Sequence, residues 1–232
     1  MMHSHDNQTV LNGFAKAFES ALANCEAASA LVELNHISQA TSLAILSLEE
    51  VGKMMLLDGL LFARTGDERY KQYKQGHLSH RMKLDAVELY PLFLHYLTTV
   101  DPRRNESRYK QTMLLVFTDL KAKRQELVDL LGEDFIFPDL DQLKQKGFYS
   151  HETDGVLKAN KEAIDPKVAT AILALAWRVT DSLKFVLGRS LENYKAFFQD
   201  VREKVDEVNL RRVRKEATKI VQNVFGIEVE KP

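Results

Sequence analysis

The sequence has few of the residues that build disulfide-stapled or strongly charged proteins. Cys25 is the single cysteine among 232 residues, so no internal disulfide can form, and a reducing, cytoplasmic environment is expected. Its acidic neighbour Glu26 disfavours a thiolate, so Cys25 is not expected to be catalytic. With 32 basic and 33 acidic residues, the formal charge is only −1, which argues against a surface dominated by nucleic-acid binding. Any contact with RNA is therefore expected to be local.

Long uninterrupted apolar runs are also missing. The one extended apolar stretch, at 43–62, contains charged residues, so no membrane span is expected. Residues 1–8 are polar and contain histidine, which is unlike a signal peptide, and they are expected to form a polar tail. What the chain does have is 45% hydrophobic residues, which is ample for a globular core.

The apolar residues follow a helical period in nearly every long segment, and the 5 prolines lie mostly between these segments. The sequence predicts an all-α fold, an antiparallel helical bundle with additional C-terminal helices, as a single domain over 9–232. A core bundle is expected at 9–131, an ordered loop region with a short helix at 132–165, and C-terminal helices at 166–226. The individual helices are predicted at 9–34, 38–63, 68–100, 106–131, 140–146, 166–187 and 191–225.

Two of these helices carry further expectations. The second is apolar almost all round, so it is expected at the centre of the bundle. Its Gly52 and Gly59, seven residues apart on one stripe, would let another helix approach closely. The third is expected to break near Gly76 and to bend at Pro91.

Charged residues lie inside the apolar run of the second helix, where their burial would cost free energy and therefore needs an explanation. At about 100° per residue, Glu49 and Lys53 share an arc with leucines and isoleucine. This predicts a partly buried i,i+4 ion pair that faces the helix carrying His80. Such a pair adds little net stability, which favours a functional or register-setting role. The alternative is an ordinary salt bridge on the helix surface.

The third helix carries His77, His80 and Lys83 at i, i+3 and i+6. His80 lies on the same stripe as neighbouring leucines, which predicts that it points toward the bundle interior. A packed core or interface histidine is one interpretation. The other is a site shared with the charged pair of the second helix, where imidazole transfers protons and lysine holds phosphate or stabilises negative charge.

Three motifs in order along the chain resemble those of the AbiV family, bacterial abortive-infection proteins of the HEPN superfamily of helical domains. The resemblance spans about Phe14 to Trp177. The motifs are Glu49-Glu50-Val51-Gly52-Lys53, then Ser79-His80-Arg81-Met82-Lys83-Leu84, and then Lys146-Gly147-Phe148-Tyr149 with Asp154-Gly155.

The resemblance implies a helical bundle that acts in antiphage defence by shutting down the metabolism of infected cells, through RNA cleavage or inhibition of translation. HEPN proteins are commonly dimeric, and many are metal-independent endoribonucleases, so a homodimer without cofactor or metal is expected. RNA or the translation machinery and a phage-encoded trigger are the expected partners. In this interpretation His80 is the acid/base group, Lys83 and Lys53 hold the phosphate, and Glu49 orients Lys53 or His80. Further binding residues are expected at Glu50, His77, Arg69, Lys146, Tyr149 and Asp154.

The sequence departs from the HEPN ribonuclease pattern, in which an arginine precedes the histidine by four to six intervening residues. The nearest candidate is Arg69, with seven residues before His77. Two other functions therefore stay open. One is a non-enzymatic dimeric binder of a phage product or a component of translation. The other, less favoured, is a metal site in a helical bundle, built from Glu49, Glu50, His77 and His80.

The predicted C-terminal helix carries seven basic and four acidic residues between Arg202 and Lys219. A solvated helix face is the ordinary interpretation of such a mixture. A strip that contacts phosphate groups is the alternative.

Overall fold

The computed structural model describes residues 7–62, 68–100, 106–148, 151–153, 156–158 and 164–187. These residues are almost entirely helical, which confirms the all-α prediction. The helices are α1 (Asn7–Glu33), α2 (Ile37–Phe62), α3 (Glu68–Gly76), α4 (His80–Glu88), α5 (Tyr90–Val100), α6 (Ser107–Leu131), α7 (Leu140–Phe148) and α8 (Pro166–Leu187).

The described residues form two compact units. The first contains those up to Glu88 together with those from Lys123 to Thr180, and the second contains those of Leu89–Ala122 and those from Asp181 onward. The predicted helix at 191–225, with its basic strip, lies outside the described residues. The single domain over 9–232 therefore stays a prediction. No helix in the described ranges is both long enough and apolar enough to cross a membrane.

The predicted helix at 68–100 is three helices, α3, α4 and α5. The chain leaves α3 at Gly76 and begins α4 at His80, where the Met82 N–H donates to Ser79 Oγ (3.4 Å), an N-terminal cap. Pro91 is the second residue of α5, a position where its missing N–H costs no helical hydrogen bond. The expected break near Gly76 is confirmed. Where a bend was expected at Pro91, the helix ends at Glu88 and a new one begins at Tyr90.

The central position of α2 in the first unit is confirmed. It packs against α1, α3, α4 and α7, and Ile45, Leu48, Val51 and Met54 have no exposed surface. Because neighbours cover it on several sides, a helix that is apolar almost all round is stable there.

Two glycines set how closely neighbouring helices approach α2. A Cβ on Gly52 would collide with the backbone carbonyl of Lys83 on α4, and one on Gly59 would lie 2.8 Å from the Tyr73 ring on α3. The predicted close approach at both positions is confirmed. Gly147 on α7 also allows a close approach to α2, because its Cβ would collide with Ser42 Oγ and the Ser38 carbonyl on α2.

We expect Gly52→Ala to lower the free energy of unfolding by about 1–3 kcal/mol, because the new methyl group would have to push the α4 backbone away. Gly13→Ala is the matched control: its Cβ would lie 3.3 Å from the end of the Leu57 side chain, which can move, and alanine favours the helix by about 1 kcal/mol. Urea unfolding of both variants measures the difference. Equal stabilities would show that α2 and α4 are not held by this contact.

The described residues of the region at 132–165 contain more regular secondary structure than the sequence predicts. A 3₁₀ turn at Phe137–Asp139 leads into α7, and an antiparallel hairpin of β1 (His151–Thr153) and β2 (Val156–Lys158) follows. The expected loop is therefore wrong at these strands. Strands of three residues are too short to show an alternating pattern, although the Asp154-Gly155 pair between them is a strong sequence signal for a hairpin.

In the second unit, the Tyr90 hydroxyl and Ser182 Oγ lie 2.5 Å apart, and the Tyr109 and Phe185 rings stack with their centres 5.5 Å apart. Burial raises the pKa of Tyr90 well above its ordinary value of 10, and the hydrogen bond to Ser182 opposes that shift. The hydroxyl therefore stays neutral, as its apolar surroundings require.

Candidate functional site

A buried carboxylate is the centre of the candidate site. Glu49 on α2 has 1% of its side chain exposed. Its Oε2 lies 2.5 Å from His80 Nδ1 and 3.5 Å from Lys83 Nζ, while its Oε1 accepts a hydrogen bond from Lys144. The structure thus brings together three of the predicted site residues, Glu49, His80 and Lys83, and adds a lysine that was not predicted.

The α4 helix presents two of these groups. His80 is its first residue, directly after the Ser79 cap, and Lys83 follows one turn later. The Lys83 backbone packs on Gly52, which lies one turn from Glu49 on α2. The close contact allowed by the glycine therefore places Lys83 and His80 against the carboxylate.

The α7 helix presents Lys144. Ser42 Oγ donates a hydrogen bond to the Lys144 carbonyl (2.8 Å), and Gly147 lets the helix lie directly on α2. Ser42 is seven residues before Glu49, about 10 Å along the helix axis, so the lysine side chain runs along α2 toward Glu49. Its Nζ also lies 2.6 Å from Asp141 Oδ1 and 3.2 Å from His80 Nδ1.

The predicted Glu49–Lys53 pair is wrong. Lys53 Nζ pairs with Glu50 Oε2 at 3.1 Å, and 31% of the Lys53 side chain is exposed. Glu50 and Lys53 are three residues apart and share the more exposed side of α2. The buried carboxylate finds its partners on other helices instead.

The remaining predicted residues lie apart from the cluster or outside the description. His77 Nδ1 contacts the Tyr73 carbonyl (3.2 Å) and does not join Glu49. Lys146 is exposed on α7. The Arg69 side chain, Tyr149 and Asp154 lie outside what the structure describes. Because neither Glu50 nor His77 reaches Glu49, the four-residue metal set weighed from the sequence is not assembled.

The charges in the cluster balance. Glu49 and Asp141 supply two carboxylates, and Lys83 and Lys144 supply two ammonium groups, with 9% and 3% of their side chains exposed. Buried charges are tolerated when each has an opposite partner within hydrogen-bonding distance. The arrangement holds Glu49 rigidly in place.

The imidazole is the most exposed part of the cluster. His80 has 53% of its side chain exposed, which corrects the expectation that it points wholly inward. An ionised carboxylate only accepts hydrogen bonds, so the contact with Glu49 needs a hydrogen on Nδ1. In the neutral ring, Nε2 is then the nitrogen with a free lone pair. A histidine so oriented can accept or donate a proton at Nε2.

The family model described as AbiV, within the HEPN proteins, matches residues 9–181. The chain belongs to the AbiV family. This confirms the resemblance stated from the motifs, and membership associates the chain with abortive-infection defence. No curated protein and no solved structure matched the chain. The AbiV match includes every residue of the charged cluster.

Sequence reasoning missed Lys144 and Asp141. They lie on α7 with the spacing i and i+3, just before the Lys146-Gly147 motif of the AbiV resemblance. A lysine on the apolar side of a short amphipathic helix was the available signal. It was weak, because a lysine stem is itself apolar and often covers a surface.

Proposed function

We propose that this AbiV-family chain stops phage-infected cells by cleaving RNA, which would also arrest translation, with His80 as the acid/base group. The observation that carries the proposal is the Glu49–His80 contact. A buried carboxylate fixes Nδ1, and the rest of the ring is half-exposed, where a substrate can reach Nε2. Orientation of an imidazole by a carboxylate is the arrangement that proton-transfer sites use.

The reaction needs a base at the RNA 2′-hydroxyl. His80 Nε2 takes that proton, the 2′-oxygen bonds to the adjacent phosphorus, and the bond from phosphorus to the 5′-oxygen breaks. The products are a 2′,3′-cyclic phosphate and a 5′-hydroxyl, which receives a proton from water. Lys53 is the lysine proposed to hold the phosphate, because it is partly exposed and its partner among the described residues, Glu50, forms a partly exposed pair with it that contributes little stability.

The roles proposed for the two buried lysines differ from that of Lys53. Lys83 and Lys144 are already paired with carboxylates, so they are proposed to keep Glu49 in place. This same pairing favours the second candidate function, a non-enzymatic binder, because it leaves fewer cations for RNA. The seven-residue spacing between Arg69 and His77 supports that candidate too.

Incubation with RNA separates the two functions. The purified protein is mixed with total cellular RNA, alone and with an extract of phage-infected cells, in the presence of a chelator. A catalyst yields fragments that end in 2′,3′-cyclic phosphate and does so without metal. Intact RNA in every mixture, including the one with infected extract, would exclude cleavage and leave the binder.

The proposal also covers the oligomeric state, the cellular location and the partners of the chain. We propose a symmetric homodimer in the cytoplasm that responds to a phage-encoded trigger and contacts RNA or the translation machinery. Leu114 and Leu115 on α6, each about two thirds exposed (67% and 66%), offer apolar surface of the kind found at interfaces. Light scattering at micromolar concentration tests the dimer, and a monomer mass would contradict it.

A further inference from the structure

The ammonium group of Lys144 lies among three side chains that are typical metal ligands. Ligand atoms of Glu49, His80 and Asp141 all lie within 4.8 Å of one another. Lys144 Nζ contacts each of these residues: it donates to Glu49, lies 2.6 Å from Asp141 Oδ1, and lies 3.2 Å from His80 Nδ1. A divalent cation bound by the three would therefore need the place that the ammonium holds.

We propose that Lys144 is a positioning residue whose ammonium group is the fixed cation of this site. It holds the Glu49 carboxylate in the orientation that His80 needs. It also fills a position where the three surrounding side chains would otherwise bind a divalent metal ion. The positioning role rests on the proposed function of His80, whereas the exclusion of metal does not.

Burial and anchoring keep the lysine there. Its side chain is 3% exposed, so its ammonium group has already lost its water and depends on the two carboxylates. Its backbone is tied to α2 through Ser42 and through the close contact at Gly147. A change of rotamer would take the ammonium group away from both carboxylates, so displacement by a metal ion would cost the two ion pairs.

Cobalt binding tests the proposal directly. Lys144→Ala is expected to gain one Co²⁺ per chain, seen as visible absorption that Zn²⁺ abolishes, because His and carboxylate groups bind both ions. Wild-type protein and the control Lys146→Ala, which removes an exposed lysine from the same helix, are expected to show no such absorption. Adding Asp141→Asn or His80→Ala to Lys144→Ala should remove it.

A second variant tests the proposal if the first one does not fold. If Lys144→Ala does not fold, Lys144→Met, which keeps the apolar stem, is refolded with and without Zn²⁺, and rescue by Zn²⁺ is expected. The proposal would be overturned by a folded variant that binds no cobalt, or by a Lys144→Met protein that Zn²⁺ does not rescue. It would also be overturned by a wild-type protein that binds cobalt through His80.

Phage plating tests the positioning role separately. Folded Lys144→Ala is expected to lose protection, while Lys167→Ala, which removes an exposed lysine of α8, keeps it; full protection by Lys144→Ala would refute the positioning role. If the wild-type protein cleaves no RNA, the proposed function fails. The cobalt-binding test does not depend on whether the protein cleaves RNA.

Discussion

Glu49→Gln is expected to lower the free energy of unfolding by about 3–5 kcal/mol, the range for removing one partner of a buried ion pair. The carboxylate is 1% exposed and faces Lys83, Lys144 and His80. Glutamine has the same shape but no charge, so Lys144 would keep only Asp141 as a carboxylate partner, and Lys83 would lose the Glu49 carboxylate that it faces. In a protein of this size the melting temperature should fall by on the order of 10 °C.

Glu50→Gln is the matched control, because it is the same change one residue along the same helix. Glu50, with 19% of its side chain exposed, pairs with the partly exposed Lys53, and ion pairs that solvent reaches contribute about 0–1 kcal/mol. Calorimetry of both variants measures the contrast. If Glu49→Gln is no less stable than Glu50→Gln, the buried cluster does not stabilise the fold as described.

His80→Ala is expected to abolish antiphage protection while the protein stays folded. A positioned acid/base group contributes about 10²–10⁴ in rate, and half of the His80 side chain is already exposed, so little packing is lost. The measurements are phage-plating efficiency and thermal stability on the same variant. Protection that falls only in step with a lower melting temperature would show a packing role instead.

His77→Ala is the control for this experiment. His77 is half-buried, contacts the Tyr73 carbonyl and does not join the Glu49 cluster, so its loss should be milder. Normal protection by a well-folded His80→Ala protein would refute the catalytic assignment. Equal loss in both variants would indicate that the histidines act through the stability of the α3–α4 turn.

The local sequence pattern correctly predicts those features that depend only on a single helix and the turn next to it. Helical periodicity placed α1, α2, α6 and α8 within a few residues of their observed bounds, because this period is a property of consecutive residues. Gly76 and Pro91 marked real helix breaks for the same reason. The hairpin at His151–Lys158 was missed, because its pairing joins strands too short to carry a pattern of their own.

The contacts within the candidate site are only partly predictable from the local sequence pattern. The position of Glu49 on an apolar arc correctly predicted its burial and its orientation toward the helix of His80. The same arc wrongly suggested Lys53 as its partner. Burial follows from the face on which a residue lies, whereas pairing also depends on which other helix covers that face.

For the residues that the structure describes, the sequence by itself determined the all-α class, the main helix breaks, a central α2 and a buried acid within it, because each follows from the order of neighbouring residues. Only the tertiary structure decided that Glu49 meets His80, Lys83 and Lys144, the last of them 95 residues away along the chain. That meeting depends on how closely α4 and α7 approach α2 at Gly52 and Gly147. Contact ion pairs form only when the nitrogen and oxygen atoms lie within about 4 Å, so a shift of a few ångströms between helices would have given Glu49 different partners.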